Sequence, residues 1–484
     1  MAVTDVFDPR TDGWFFENWG EDTDFTWDLY RRTHLSIHPT DDPVLAPLDH
    51  AYFQIFKSCA AEGNCGGMAM LALAVFKYGG FFGYGSPANF YTGGPDGPDR
   101  SDLHEAVNIF QARQFSAPGI RNFLDVVKAG QLNDGIAAWH RISGGLASGD
   151  YHVLSLSSGL FGDAAHTVIP YRATQSGGTY TLWVWDPNRP YDAFPAYYDG
   201  GFNRIVITSP TGWSYDQNAG GFSGGHNYLG SQNGWFFAIP TSLILHKGRQ
   251  PISVAFAITG LTYLFVSGTG AAVTQIEDSN GRRLFRDTGV HTRRDDLETS
   301  PSHRLEGVAP WPFTGGLPGT GRPGELYVTD RPPSSAPLRV TVRGDYTLQR
   351  ASAGSLTEVA PVGRTKAPDE VLFDDDAVEV RTHAARRRFD LRQIRTTGPG
   401  EWHGVHLRDV LVTDDSVRMR APGPGGAVEV SGSRTGRELD IEFERLRGRR
   451  LSRSHLGRRR YPAGGPLVVA PGTWEAVPRR RRKT

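Results

Sequence analysis

The 484-residue chain has two cysteines, Cys59 and Cys65. The second stands in EGNCGGMAM (62–70), between an asparagine and two glycines, where an apolar helix-like run begins. A cysteine attacks as its thiolate, and a helix start lowers a thiol pKa through unpaired N–H groups and the helix dipole. Gly66 and Gly67 leave the approach to the sulfur open. The same position also suits a buried, inert thiol, so a reactive Cys65 needs a base. DAAHTVIPYRA (163–173) places His166 at the start of a strand-like run, and TYTLWVWDPNRP (179–190) follows after a Ser-Gly-Gly turn. Antiparallel pairing across a turn near 175–178 sets His166 roughly opposite 185–187 and brings Asp186 near the imidazole. A carboxylate there orients the ring and stabilises its protonated form. A helix-start Cys, a strand His and a strand-end Asp form the constellation of a thiol hydrolase.

Helices and strands must hold these three residues. CGGMAMLALAVFKYGG reads as one helix from Cys65, stopped by Gly79-Gly80. Three more helical patterns follow at 101–114, 118–130 and 133–149. From Tyr151 the character changes. YHVLSLSS, HTVIPYRA, YTLWVWD and RIVIT are short runs rich in β-branched and aromatic residues. FFAIPTSLIL (236–245) closes this part. Helices first and an antiparallel sheet afterwards make an α+β domain over residues 51–247, preceded by an aromatic, acidic lead-in over 1–50 that is expected to be extended and packed on that domain. After 250 the pattern is nearly all strand, at 8–12-residue spacing, which predicts sandwich-like β regions over 250–360 and 361–484. ISVAFAITGLTYLFVSG (252–268) reads as two buried strands around Gly260, being glycine-broken and too short for a membrane span. VTQIEDSNGRRLF carries a hairpin signal at Asn280-Gly281. WPFTGGLPGTGRPGE (311–325) reads as a long loop.

With these elements in order, GNCGGMAM, AHTVIPYRA and VWDPNRP together resemble bacterial members of the papain-like cysteine peptidase superfamily, over about residues 50–245. The resemblance implies a papain-like domain in which Cys65 is the nucleophile, His166 the general base and then acid, and Asp186 the orienting residue. Asn188 is the fallback for that third role, since the family accepts Asn. It implies a cysteine peptidase acting on peptide or protein through an acyl-enzyme, without a cofactor. A transglutaminase or amide acyltransferase uses the same triad, and a non-catalytic binding protein can retain the fold. One departure stands out. The family places an oxyanion-binding glutamine about six residues before the cysteine, and here that position is Cys59. Gln54 and Asn64 are the candidate substitutes.

Charge and composition bound the rest. Residues 1–240 carry 13 Lys+Arg against 24 Asp+Glu, and the remainder 39 against 28, so an acidic half precedes a basic one. Two cysteines exclude a disulfide framework. No CxxC pair, HExxH or other ligand spacing points to a metal. The glycine-rich GTGRPGE lacks the strand–loop–helix setting of a phosphate cradle. His226, in GGHNYLG, reads as part of a polar loop. ERLRGRRLSRSHLGRRR places eight arginines between 445 and 460, and RRRRK occupies 479–483. These read as a basic, solvated tail; without aromatic interleaving they carry no nucleic-acid motif. The β-rich C-terminal region is instead expected to bind a partner or the first domain. The acidic N-terminus has no signal-peptide pattern, so a cytoplasmic protein, or one exported without a recognisable signal, is expected.

Overall fold

The computed structural model describes residues 6–20, 25–33, 46–60, 63–78, 93–94, 97–98, 101–114, 117–158, 165–232, 234–245, 261–268, 270–285, 302–310, 325–330, 337–352, 354–363, 365–374, 376–398, 401–413, 415–420, 427–432, 437–448, 450–461, 466–472 and 475–476. The chain divides into two compact units. One comprises residues 1–39, 53–255 and 309–320; the other comprises 40–52, 256–308 and 321–484.

The first unit is helical at its start. The lead-in is not extended throughout, because Thr26 caps a short helix, α1 (Trp27–Thr33), accepting the Leu29 N–H on its hydroxyl at 3.3 Å. α2 (Pro47–Ala60), of which residues 53–60 belong to this unit, opens on proline, whose missing N–H costs nothing at a first helical position. α3 (Cys65–Tyr78) is buried along all but its last turn. Its Gly79-Gly80 stop lies outside the described residues. α4 (Ser101–Arg113) and α5 (Ala117–Lys128) follow. α6 (Gly135–Ser148) has both signals of its ends: Asp134 accepts from Ala137 N, and Gly149 closes it at φ +75°.

The sheet that follows is antiparallel. Its strands are β1 (His152–Leu156), β2 (His166–Ser176), β3 (Thr179–Trp185), β4 (Arg204–Ile207), β5 (Trp213–Asp216), β6 (Asn227–Leu229) and β7 (Phe236–Pro240), in the spatial order β6-β5-β4-β3-β2-β1-β7. Thus the last strand returns beside the first. Ile142 of α6 packs with Leu154, Val168, Leu182, Ile205 and Phe236 in one core, while Trp139 and Leu146 pack at its edge. Phe123 of α5 lies 5.5 Å from Trp235 and 5.2 Å from Phe237, between ring centroids. Each fully buried side chain of this size contributes roughly 1.5–3 kcal/mol, so the helices are fixed on the sheet that carries His166.

The second unit is all β among the described residues that follow α2. One antiparallel sheet runs, in spatial order, through Glu325–Thr329, Thr262–Ser267, Thr347–Ser352, Ser355–Val362, Arg387–Gly398, Glu401–Val412, Arg437–Arg447, Arg450–Tyr461 and Glu475–Ala476. The other runs through Ala272–Asp278, Leu338–Arg343, Asp369–Phe373, Ala377–Thr382, Ser416–Arg420, Val428–Ser431 and Leu467–Val469. Arg387 of the first sheet pairs with Asp369 of the second, both buried, and donates from Nη2 to Gly344 O at 2.9 Å. This buried pair, with the Gly344 carbonyl as a further acceptor, joins the two sheets. The hairpin at Asn280-Gly281 forms, with Gly281 at φ +75° and Glu277 bridged to Arg283. Thr262–Ser267 is a strand as expected, whereas residues 251–260 and the loop at 311–324 lie outside the described residues.

The arginine-rich stretch is not a tail. Arg437–Arg447 and Arg450–Tyr461 pair as a hairpin, with Leu439, Ile441, Phe443, Leu446 and Leu451 buried. Those regularly spaced apolar residues hold the arginines in strands. Glu442 and Glu444 on the same strands pair with Arg408, Arg392 and Arg453. The final RRRRK lies outside the described residues. No helix among the described residues is long and apolar enough to cross a membrane.

Candidate active site

Cys65 is the first residue of α3, and Met68 N donates to Asn64 O at 2.9 Å, the first bond of that helix. The turn leading into it is clamped from two directions. From the lead-in, Asn64 N donates to Trp19 O and to Asn18 Oδ1, each at 2.8 Å, and Trp14 Nε1 donates to Met68 O at 3.0 Å. From α4, the buried Gln111 accepts from Gly67 N at 2.6 Å and donates to Gly63 O at 3.0 Å. Gly67 has a packing role: a Cβ there would lie 2.2 Å from Val107 O of α4. Its lack of a side chain lets the two helix backbones touch, and so lets Gln111 reach the thiol's turn.

His166 opens β2, beside Leu156 of β1. Across the hairpin Ile169 faces Trp185, which leaves Asp186 just past the end of β3, level with the imidazole. His166 Nε2 and Asp186 Oδ1 are 2.6 Å apart. With Nε2 taken by the carboxylate, Nδ1 is the ring nitrogen left to hydrogen-bond the thiol of Cys65. All three residues are covered: Cys65 keeps 7 % of its surface, His166 2 % and Asp186 none. Exposure therefore falls along the order thiol, imidazole, carboxylate.

Asp186 is held by more than the histidine. Its Oδ1 also accepts from Asn188 N at 2.8 Å, and its Oδ2 accepts from Gln217 Nε2 at 2.7 Å and from the Tyr215 hydroxyl. Tyr197 donates to Tyr215 at 3.2 Å, and Gln217 Oε1 accepts from His226 N at 2.9 Å. Asp186 N donates to the Tyr198 hydroxyl at 3.2 Å, which donates on to Arg189 O at 2.6 Å. Four donors on one carboxylate favour its anion.

The protonation states follow from these contacts. Burial alone raises Asp186, but the charge and hydrogen bond of His166, with Tyr215 and Gln217, hold it down at about 2. Burial lowers His166, but Asp186 and then Cys65 outweigh it and push the imidazole up to about 10. For Cys65, burial pushes the thiol up; the hydrogen bond and charge of His166, with hydrogen bonds from Thr167, bring it below its ordinary value. The arrangement favours a thiolate–imidazolium pair on a fixed carboxylate.

The three residues picked out in the sequence therefore meet in one place. Asn188 contributes its backbone N–H, and the third position is taken by Asp186. Of the proposed oxyanion substitutes, Gln54 is exposed on α2, and Asn64 is buried with its side-chain amide donating to Trp19 O at 3.3 Å. The side chain of Cys59 lies outside the described residues; Cys65 is a free thiol. His226 lies in a loop, as expected, at the edge of the site: partial burial, then the charge of His166, lower its pKa, and its ring is 6.0 Å from Tyr228, which in turn stacks 6.3 Å from His166. Trp185, Trp213 and Tyr215 are fully covered wall and core. No group of three or more metal-ligating side chains is gathered among the described residues. Comparisons with protein-family models, with curated proteins and with solved structures found no match.

Proposed function

We propose that this chain is a thiol hydrolase of the papain-like kind, acting on peptide or protein amides through an acyl-enzyme. The hydrogen-bonded run Cys65–His166–Asp186, with its depressed thiol and raised imidazole, is the observation that supports the reading. The thiolate attacks the amide carbonyl, forming an S–C bond. The imidazolium gives its proton to the leaving amine as the C–N bond breaks. Water then adds to the thioester, losing a proton to His166, and the returned thiol leaves with the acid released. Asp186 keeps Nδ1 aimed at the sulfur and stabilises the imidazolium throughout.

The developing oxyanion needs donors. The Cys65 N–H lies in the first turn, where no intrahelical acceptor exists. Asn18 spends its Oδ1 on Asn64 N, so its Nδ2 is the amide donor on the same rim, 3.1 Å from where a Gly63 Cβ would stand. In this reading Asn18 takes the part of the glutamine missing at position 59.

The test is hydrolysis of a peptide pool measured beside incorporation of a primary amine. Wild type is expected to hydrolyse, and Cys65→Ser to lose all turnover with an unchanged circular dichroism spectrum. Undiminished turnover by Cys65→Ser removes the proposal; amine incorporation in excess of hydrolysis makes the chain a transferase on the same triad.

A further inference from the structure

The ladder between β1 and β2 stops early. β1 pairs with β2 at His166, Thr167 and Val168, while β2 runs on to Ser176. Pro170 has no N–H to give, and the register shift between Pro170 and Arg172 leaves Tyr171 as a bulge. Beyond Val168 no strand among the described residues lies on that flank of β2, and no backbone hydrogen bond outside the ladders reaches residues 169–176. On the other flank β2 is paired with β3. Their two-residue turn, with Gly177 at φ +58°, makes Ser176 and Thr179 a hydrogen-bonded pair. Counting back along the ladder, Thr174 and Arg172 also bond to β3. Ala173 and Gln175 therefore turn their N–H and C=O toward the unpaired flank.

Such an edge invites pairing with another chain unless it is covered. Here a cavity of about 630 Å³ lies alongside it. Tyr171, Arg172 and Ala173, three consecutive residues of β2, line it together with residues from both faces of the sheet. Ser143 and Leu146 come from α6, which packs on the face that carries Val184. Phe7 comes from the lead-in and packs 6.3 Å from Trp185, the next residue of β3, which points to the opposite face. A cavity that touches both faces lies past the edge of the strand, in the space a further strand would fill. It is reachable from solvent, since Val6 on its wall is 61 % exposed.

The walls define the chemistry of the occupant. Main-chain donors and acceptors in alternation match another extended backbone. Val6, Leu146 and Ala173 offer an apolar seat for a side chain. The cavity also holds the Arg10–Asp199 pair at 3.1 Å and the Tyr171 hydroxyl. That hydroxyl accepts from Asn203 Nδ2 at 2.8 Å, and its own proton has no acceptor among the described residues, so it can be donated to a carbonyl.

We propose that residues 171–175 of β2 take up an extended peptide segment of another protein as an added strand, lying between α6 and the lead-in. Tyr171 stands five residues along β2 from His166, roughly 16 Å at about 3.3 Å per residue, so the site is separate from the triad. It stands independently of whether Cys65 is a nucleophile.

Fluorescence anisotropy tests it, on the full chain carrying Cys65→Ser so that no probe is cut. The probe is a labelled heptapeptide of alternating Val and Thr with its central residue varied, together with two forms N-methylated at one or the other set of alternate amides. The parent peptide is expected to bind saturably. The form that loses the amides facing β2 should bind tenfold or more weakly, and the other form should bind like the parent. Ser143→Trp, whose indole fills the cavity, should also weaken binding tenfold or more; Ser143 spends its hydroxyl on His140 O of its own helix, at 3.1 Å, so little else is lost. Hydrogen exchange should slow over 171–176 when the parent binds. Absence of saturable binding for every central residue, equal loss from both methylated forms, or protection that misses 171–176 overturns the proposal. If Ser143→Trp fails to fold, the methylated pair and the exchange data decide.

Discussion

Replacing Gly67 by alanine should damage both the stability of the first unit and the thiol's chemistry. The added Cβ would meet Val107 O at 2.2 Å, Gln111 N at 2.9 Å and Gln111 Cβ at 3.0 Å. The first two are backbone atoms of α4, which cannot rotate away. Ordinary contact begins at 3.4 Å, so α3 and α4 must separate by about 1.2 Å, the difference from 2.2 Å. Overpacking of this kind costs about 1–3 kcal/mol. The Gly67 N to Gln111 bond, at 2.6 Å, is lost with the separation, for about 1 kcal/mol more. Alanine's better helix propensity returns about 1 kcal/mol. The net loss is about 1–3 kcal/mol, or a melting point lower by roughly 2–4 °C for each kcal/mol. Because Cys65 is two residues away in the same turn, its sulfur shifts relative to His166, and alkylation by iodoacetamide at pH 6 should slow by tenfold or more. Such misplacement can cost roughly a hundredfold. Gly66→Ala is the control. Its Cβ would meet the Oε1 atoms of Gln111 and Gln114, at 3.0 and 3.5 Å, so it strains the Gln111 bond to Gly67 N but meets no backbone atom of α4, and its loss should be the smaller of the two. Equal melting points and alkylation rates for wild type and Gly67→Ala would refute the argument that glycine at 67 sets the helix contact.

Asp186→Asn removes the charge that raises His166 most, so the imidazole should fall from about 10 toward 6.5 and the thiol should rise. Alkylation of Cys65 at pH 6 should drop about tenfold for each unit the thiol rises, with unchanged rates counting against Asp186. Stability should fail at both pH extremes. Asp186, at about 2 when folded against an ordinary 3.8, stabilises above 3.8 and loses its contribution, about 2–3 kcal/mol, as pH falls through 2. His166, at about 10 against 6.5, contributes fully below 6.5 and ceases to do so as pH rises through 10. Urea unfolding followed across pH checks both limbs. Tyr215→Phe deletes one donor to Asp186 and leaves the Tyr197 hydroxyl without its acceptor, so the acid midpoint should move up and unfolding should cost about 1–3 kcal/mol less.

The site's three principal residues were legible because each is tied to a local signal. Cys65 begins an apolar helical run, and His166 and Asp186 flank a short hairpin whose register can be counted. Asp134 and Gly149 likewise mark the ends of α6. The supporting residues had no such signal. Asn18 reaches Asn64 across 46 positions and Gln217 reaches Asp186 across 31, contacts set by how α3, the lead-in and the sheet pack. Gly67 looked like open access to the sulfur, and α4 occupies that space instead. His226 read as loop because its neighbours are glycines, and it does lie in a loop; what the sequence did not show is that pairing of Asn227–Leu229 against Trp213–Asp216 brings that loop within reach of the charge of His166. The arginines of 445–460 read as a tail by charge alone; the alternation of Leu439, Ile441 and Phe443 on the partner strand holds them in a sheet.

The rate of Cys65 alkylation by iodoacetamide from pH 4 to 10, in wild type and in His166→Ala, measures the thiolate–imidazolium pair itself. The account predicts a wild-type midpoint below the ordinary thiol value of about 8.5 and, in His166→Ala, a midpoint at or above it, since burial then acts on the thiol without a cation to oppose it. Coincident profiles for the two proteins would contradict it.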